Sequence, residues 1–240
     1  MKKINIEKAI NIIFIISSLS IIFLLMIYSI NDKSFNIKYI TINNNHFVNS
    51  VEIENIIKEE LKNKNILNVN ISKIKESINK NDYIQSSKIF TTFPSNIFVN
   101  INEITPIVLF EEESKYYLYD YKLNKIEADL KALNYYKVPI IVSDFKDQNK
   151  IKYITNSLID ILSNSKSLYS SISEVRINNN EIHYTTNNRT IIKLDINHIN
   201  YCTTKLINFL QQNTNKPIDT YEYVNLIIPN QIVVKEKSIW

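Results

Sequence analysis

The chain has 240 residues, no glycine, one cysteine and a formal net charge of +4. The missing glycine excludes the glycine-rich phosphate loops and the dinucleotide fingerprint, and a lone cysteine excludes an internal disulfide. The mild, scattered charge lacks the clustered basic face of a nucleic-acid binder. Asparagine, the next most tolerant residue, is expected wherever the backbone needs a positive φ, so the asparagine runs at 43–45, 178–180 and 187–188 read as turns.

Residues 9–30, AINIIFIISSLSIIFLLMIYSI, carry no charge and no proline. A helix of that length rises to roughly 30 Å, the thickness of a bilayer's hydrocarbon core. Asn11 and the serines are its strongly polar members, and a serine hydroxyl can bond the preceding turn of a helix in lipid. The run predicts a transmembrane helix. A cleaved signal peptide has a shorter apolar region followed by a small-residue cleavage site, and Tyr28-Ser29-Ile30-Asn31-Asp32 offers none. Lys2, Lys3 and Lys8 precede the run against Glu7, so residues 1–8 are expected to be a cytoplasmic tail and everything beyond about Asn31 to lie outside the membrane.

A strand is predicted at 37–42, turned at Asn43-Asn44-Asn45-His46. Asn49 is placed to cap a helix, with Glu52 three residues on able to bond back. Ile53, Ile56, Ile57 and Leu61 keep helical spacing on one face, and Ile71, Ile74 and Ile78 mark a second, shorter helix after a polar break at 62–65. Two strands follow, at 83–92 and 96–104, joined at Phe93-Pro94-Ser95-Asn96. Ile97, Val99 and Ile101 alternate with Phe98, Asn100 and Asn102, so one face is buried. The order is β-α-α-β-β, with Ile40, Ile53, Ile57, Ile74, Val99 and Ile101 as its expected core.

From Pro106 a second region begins. Strands are predicted at 107–110 and 116–120 around the acidic turn Glu111-Glu112-Glu113, then a less regular connection to residues 138–142. Ile151, Ile154, Leu158, Ile161 and Leu162 give an amphipathic helix. Three strands are expected at 172–178, 181–185 and 190–195, then a helix carrying Ile199, Cys202, Leu206, Phe209 and Leu210 on one face. Pro217 ends it and a terminal strand pair, 221–228 and 231–235, closes the domain. The fold class is α+β: an N-terminal transmembrane helix, a small β-α-α-β-β module, and a mixed domain dominated by an antiparallel sheet.

Several stretches, in order, resemble one family. They are ITINNNHFV at 40–48, Phe93-Pro94, INEITP at 101–106 with its E-x-x-P ending, YYLYD at 116–120 and VNLIIPNQIVVK at 224–235. Together with an anchor directly before a β-α-α-β-β module, they resemble the bacterial cell-division family FtsQ/DivIB, and the module resembles a POTRA domain. The resemblance implies an anchor at 9–30, a POTRA-like domain at 35–104 and a C-terminal β domain at 105–240. It implies a non-enzymatic divisome scaffold at the division septum, single-pass in the plasma (inner) membrane, linking early and late septation proteins through periplasmic contacts.

In FtsQ-like proteins the C-terminal strands recruit small coiled-coil division proteins, FtsB with FtsL, and the resemblance implies the same here. The implied partner-binding residues are Tyr223, Val224, Leu226, Ile228, Gln231, Ile232, Val233, Val234, Lys235 and Trp240. Val224, Leu226 and Ile228 alternate, as do Ile232 and Val234, so each strand has a buried face. A final strand leaves its outer edge unpaired, a template for strand addition. Lys235 and Lys237 are placed to meet acids on a partner, and Trp240 to act as an aromatic anchor. Other divisome membrane proteins are implied as further partners.

No catalytic, metal or cofactor-binding residue is expected. His46, His183 and His198 are far apart and lack a second ligand at metal spacing. Cys202 falls on an apolar helix face, where a thiol is inert packing. The serines stand in no Gly-x-Ser-x-Gly elbow, and adjacent glutamates on a solvated turn are no hydrolase pair. The tyrosines at 116–121 and 135–136 read as half-buried sheet residues rather than a binding surface. Two alternative readings ask for more than the sequence holds: a POTRA-type secretion or outer-membrane assembly factor, which needs several modules or a barrel, and an anchored extracytoplasmic hydrolase, which needs an acid pair or metal triad. Neither nucleic acid nor a small-molecule substrate is expected.

Overall fold

The structure, a computed structural model, describes residues 6–61, 65–142, 147–178, 180–213 and 215–238. Lys2, Lys3, Asn179, Trp240 and most of the polar break at 62–65 lie outside the described residues. The fold is α+β, in two compact units, Met1–Glu103 and Ile104–Trp240.

The first unit opens with α1, Ile6–Asn31. Its window Ile10–Ser29 is long and apolar enough to cross a membrane. The hydroxyls of Ser18 and Ser29 donate to the carbonyls of Ile15 and Leu25, each at 2.9 Å, so these two serines satisfy themselves within the helix. A single 3₁₀ turn, Lys33–Phe35, follows, capped by Asp32. Then come β1 (Tyr39–Asn43), α2 (Ser50–Leu61), α3 (Ile71–Ile78), β2 (Ile84–Thr92) and β3 (Asn96–Glu103). β3 is central, parallel to β1 and antiparallel to β2.

Asn49 Oδ1 accepts from Val51 N at 2.9 Å. The expected return bond from Glu52 is replaced: its carboxylate accepts from Asn81 Nδ2 at 3.1 Å, tying the first turn of α2 to the loop before β2. Ile53, Ile57 and Leu61 of α2, Ile74 and Ile78 of α3, and Ile97, Val99 and Ile101 of β3 form the core. Ile40 is only half-buried, because β1 is an edge strand of this sheet. Ile57 is 0% exposed, so Ile57→Ala is expected to lower unfolding free energy by about 2–5 kcal/mol. Urea unfolding checks this, and a loss below about 1 kcal/mol would mean the face is not sealed.

The second unit runs β4 (Pro106–Glu112), β5 (Lys115–Asp120), β6 (Lys125–Glu127), α4 (Leu130–Tyr135), β7 (Ile140–Val142), α5 (Gln148–Asn164), α6 (Lys166–Ser171), β8 (Ile172–Asn178), β9 (Glu181–Thr186), β10 (Ile191–Asp195), α7 (Ile199–Gln212), β11 (Tyr221–Asn225) and β12 (Val233–Glu236). One sheet holds all nine of these strands in the order β12-β11-β10-β9-β8-β7-β4-β5-β6. Most pairings are antiparallel; β10–β11, β7–β8 and β4–β7 are parallel. β6 and α4 resolve what sequence left as irregular connection, and α6 is an element the sequence reading did not include. They have three, six and six residues, too short to repeat a hydrophobic period.

α5, α6 and α7 contribute to one core with the sheet: Ile154, Leu158, Ile161, Leu168, Cys202 and Leu206 join Val175, Ile182, Ile192, Leu194 and Val224. Buried hydroxyls lock these layers. Tyr184 OH donates to Ser157 Oγ at 2.9 Å, and Ser157 Oγ lies 2.7 Å from Thr203 Oγ1, linking β9, α5 and α7. Tyr169 OH donates to the Ile107 carbonyl at 2.8 Å; burial pushes this phenol's pKa up to about 12, so it remains a donor.

Left-handed backbone falls at Asn44, Glu113, Ser114, Leu123, Arg189 and Asn230. Asparagine therefore takes only part of the role expected of it. In the 187–188 turn the positive φ belongs to Arg189, and the β4–β5 hairpin puts Glu113 and Ser114 where Asn-Gly is usual.

Candidate partner-binding edge

β11 is parallel to β10 and antiparallel to β12, and β12 is the outermost strand of its sheet. The strands are shorter than the sequence suggested. The connection between them, residues 226–232, is anchored on α7 and on its own side chains. Lys205 Nζ donates to the carbonyls of Leu226 (3.3 Å) and Ile228 (2.8 Å). Ile227 N donates to Asn225 Oδ1 at 3.0 Å. Gln231 N reaches the Ile228 carbonyl at 3.3 Å, with φ 58° at Asn230, so Pro229 and Asn230 occupy the middle of a turn of type II character.

The expected binding residues separate by depth. Val224 and Leu226 are core, at 0% and 1% exposure, so their side chains hold β11 in place rather than meet a partner. Tyr223 is half-buried and its ring centre lies 6.0 Å from Lys193 Nζ. Ile232 packs partly on the core and Val233 is half-buried. Ile228, Gln231, Val234 and Lys235 face solvent, whereas Trp240 lies outside the described residues. Lys235 Nζ pairs with Glu222 at 2.7 Å, and that hydrogen bond raises its pKa. Lys237, read as a partner contact, turns inward: Nζ donates to Asn188 O (2.6 Å), Asp219 O (3.0 Å) and Thr190 Oγ1 (3.3 Å). It fastens the end of β12 to its own unit.

The direction of the edge's backbone groups follows from the ladder. Leu226 N donates to Lys193 O at 2.9 Å, with Lys193 opposite Asn225. The peptide groups of Val224 and Leu226 thus face β10, and those of Tyr223 and Asn225 face β12. Val233 stands opposite Asn225 and Lys235 opposite Tyr223, so both point inward. Lys237 N continues that parity by donating to Thr220 O at 2.9 Å. The N–H and C=O groups of Val234 and Glu236 are left pointing outward. On this parity Val233 N–H faces β11, within the sheet.

His183, His198 and Cys202 are used locally. His183 and His198 lie 2.9 Å from Glu181 and Asp195; Asp195 is held below its usual pKa chiefly by the His198 bond. Cys202 is buried. Among the described residues, no three His, Cys, Asp or Glu side chains gather as metal ligands.

Residues 35–103 match the family model of the POTRA domain, FtsQ-type. This module is similar to POTRA domains of the FtsQ type. The FtsQ/DivIB resemblance read from the sequence is borne out there. Among solved structures, the chain is similar to the major extracytoplasmic domain of the trans isomer of the bacterial cell-division protein DivIB from Geobacillus stearothermophilus, at 11% identity and a TM-score of 0.32, over 48% of this chain and 98% of that one. No curated protein matches the chain.

The POTRA domain gives the E-x-x-P glutamate a role that sequence reading missed. Glu103 Oε1 accepts from the backbone N–H of His46 (3.0 Å), Phe47 (3.0 Å) and Val48 (2.8 Å), and Oε2 from Phe47 at 3.0 Å. One carboxylate thus closes the loop between β1 and α2. The only sequence signal for it was the motif itself, since the bond spans more than fifty residues.

Proposed function

We propose that the chain is a non-enzymatic scaffold of the cell-division machinery, anchored by α1 and working through protein contacts outside the membrane. The observation that carries this reading is the FtsQ-type POTRA domain at 35–103, placed directly after a helix of membrane-spanning length. In this reading residues 1–8 are cytoplasmic, held there by Lys2, Lys3 and Lys8, and residues 105–240 present β12 as the recruiting edge. Small coiled-coil division proteins of the FtsB and FtsL kind add a strand along Val234 and Glu236: main-chain bonds supply affinity and alternate side chains selectivity.

A fluorescent fusion that tolerates export tests the role. The fusion is expected at midcell, and depletion is expected to give filamentous cells. Uniform membrane signal with normal division would overturn the assignment. Single replacements of His46, His183, His198 or Cys202 are expected to leave division intact wherever the variant folds; loss of division in a folded variant would reopen the hydrolase reading.

A further inference from the structure

We propose that the anchor-side rim of the POTRA domain, formed by Leu67 and the β2–β3 tip at Phe93, lies in the lipid headgroup layer of the bilayer that α1 spans. The proposal rests on the anchored reading above and adds a fixed height for the domain.

The decisive residue is Asn65, only 5% exposed. Its Nδ2 donates to the carbonyl of Ser29 at 2.9 Å and reaches that of Asp32 at 3.5 Å. Ser29 closes the membrane-spanning window, and the last carbonyls of a helix have no intrahelical donor. The POTRA domain therefore supplies a buried amide to the final turn of the anchor. Two backbone contacts reinforce it: Asn36 and Asn65 form an antiparallel bridge, and Ile66 N donates to Phe35 O at 2.9 Å. A domain bolted to the carbonyl of Ser29 cannot swing away as one on a free linker would.

Leu67 follows two residues later, its N–H on Asn65 Oδ1 at 2.9 Å, and its side chain is 43% exposed. Two residues span at most about 7 Å, and each headgroup layer is roughly 5–7 Å deep. An exposed leucine at that height meets lipid more readily than bulk water. The β2–β3 tip is brought to the same end of the sheet, because Ser95 O accepts from Lys38 N (2.9 Å) and Tyr39 N (3.3 Å) where the chain arrives from the anchor. There Phe93 is 60% exposed and Tyr39, whose N–H meets Ser95, is 66% exposed. Lys33 and Lys38, both exposed, lie on the segment that arrives from the anchor, and aromatic rings suit the interface.

The test uses full-length protein with Cys202→Ala in phosphatidylethanolamine/phosphatidylglycerol vesicles. A fluorophore is placed singly by Ile21→Cys, Leu67→Cys, Phe93→Cys or Ser72→Cys, Ser72 being an exposed site on α3. Quenching is read from lipids spin-labelled at the headgroup or mid-chain. Labels at 67 and 93 are expected to be quenched by headgroup spins at least about twofold more than the label at 72. Equal quenching at 67 and 72, with the label at 21 quenched by mid-chain spins, would overturn this proposal alone. An unquenched label at 21 would overturn the anchored reading and this proposal with it. Adding Asn65→Ala should bring the label at 67 toward the behaviour of 72; undiminished quenching would show that Asn65 is not the clamp.

Discussion

Val234→Pro is expected to weaken capture of the proposed coiled-coil partners by at least about tenfold, the equivalent of ~1.4 kcal/mol, with the thermal unfolding midpoint unchanged. Proline removes one outward N–H, whose bond to a partner strand contributes about 0.5–1.5 kcal/mol net, and its ring stands in the path of that strand. Edge strands tolerate proline where the lost donor faced solvent. Val233→Pro is the instructive contrast. Its N–H faces Asn225, so the substitution breaks the protein's own ladder and is expected to lower the unfolding midpoint and loosen β12. Affinity of purified variants for the partner, set beside thermal unfolding, separates the two. Unchanged affinity in Val234→Pro would place the recruiting surface elsewhere.

Glu103→Ala should be the most damaging single polar substitution in the POTRA domain, lowering its unfolding free energy by about 3 kcal/mol. Hydrogen bonds to a charged group contribute about 1.5–3 kcal/mol each, and an orphaned buried donor costs about 1–3 kcal/mol. Here one carboxylate serves three successive amides, of which Phe47 and Val48 belong to buried residues. Water can replace it at exposed His46, which keeps the sum below three full bonds. Glu103→Gln retains one carbonyl oxygen without the charge and should recover roughly half. Urea unfolding of both variants decides the matter; a loss under about 0.5 kcal/mol in the alanine variant would leave the latch without energetic weight.

The sequence was legible wherever a hydrophobic period could repeat. The predicted strand at 172–178 coincides with β8, and the apolar faces of α2, α3, α5 and α7 were read from their spacing. What escaped was short or reciprocal. β6 and α4 hold too few residues to show a period. The left-handed conformation passed also to Glu113, Ser114, Leu123 and Arg189; at Leu123 a local side-chain turn holds it, since Asp120, buried, accepts from Lys122 N and Asn124 N at 2.8 Å each. The candidate edge was visible as a pair of apolar strands, but the parity of its backbone groups was not. That parity depends on the parallel neighbour β10, which no local pattern in 221–235 announces.

The two margins of the nine-stranded sheet differ. At the far side from β12 stands β6, three residues long, with Lys125 paired to Glu112 and Glu127 to Lys115. Short, charged strands resist further pairing. A fibre growing by edge-to-edge addition needs two mutually complementary margins, one to offer and one to receive. β6 is thus a poor acceptor for β12 of another copy, which disfavours head-to-tail growth of this sheet. Two copies meeting through β12 would close upon each other and stop. The open margin can therefore remain available for a partner at the crowded concentrations of a membrane surface without seeding polymerisation through this sheet.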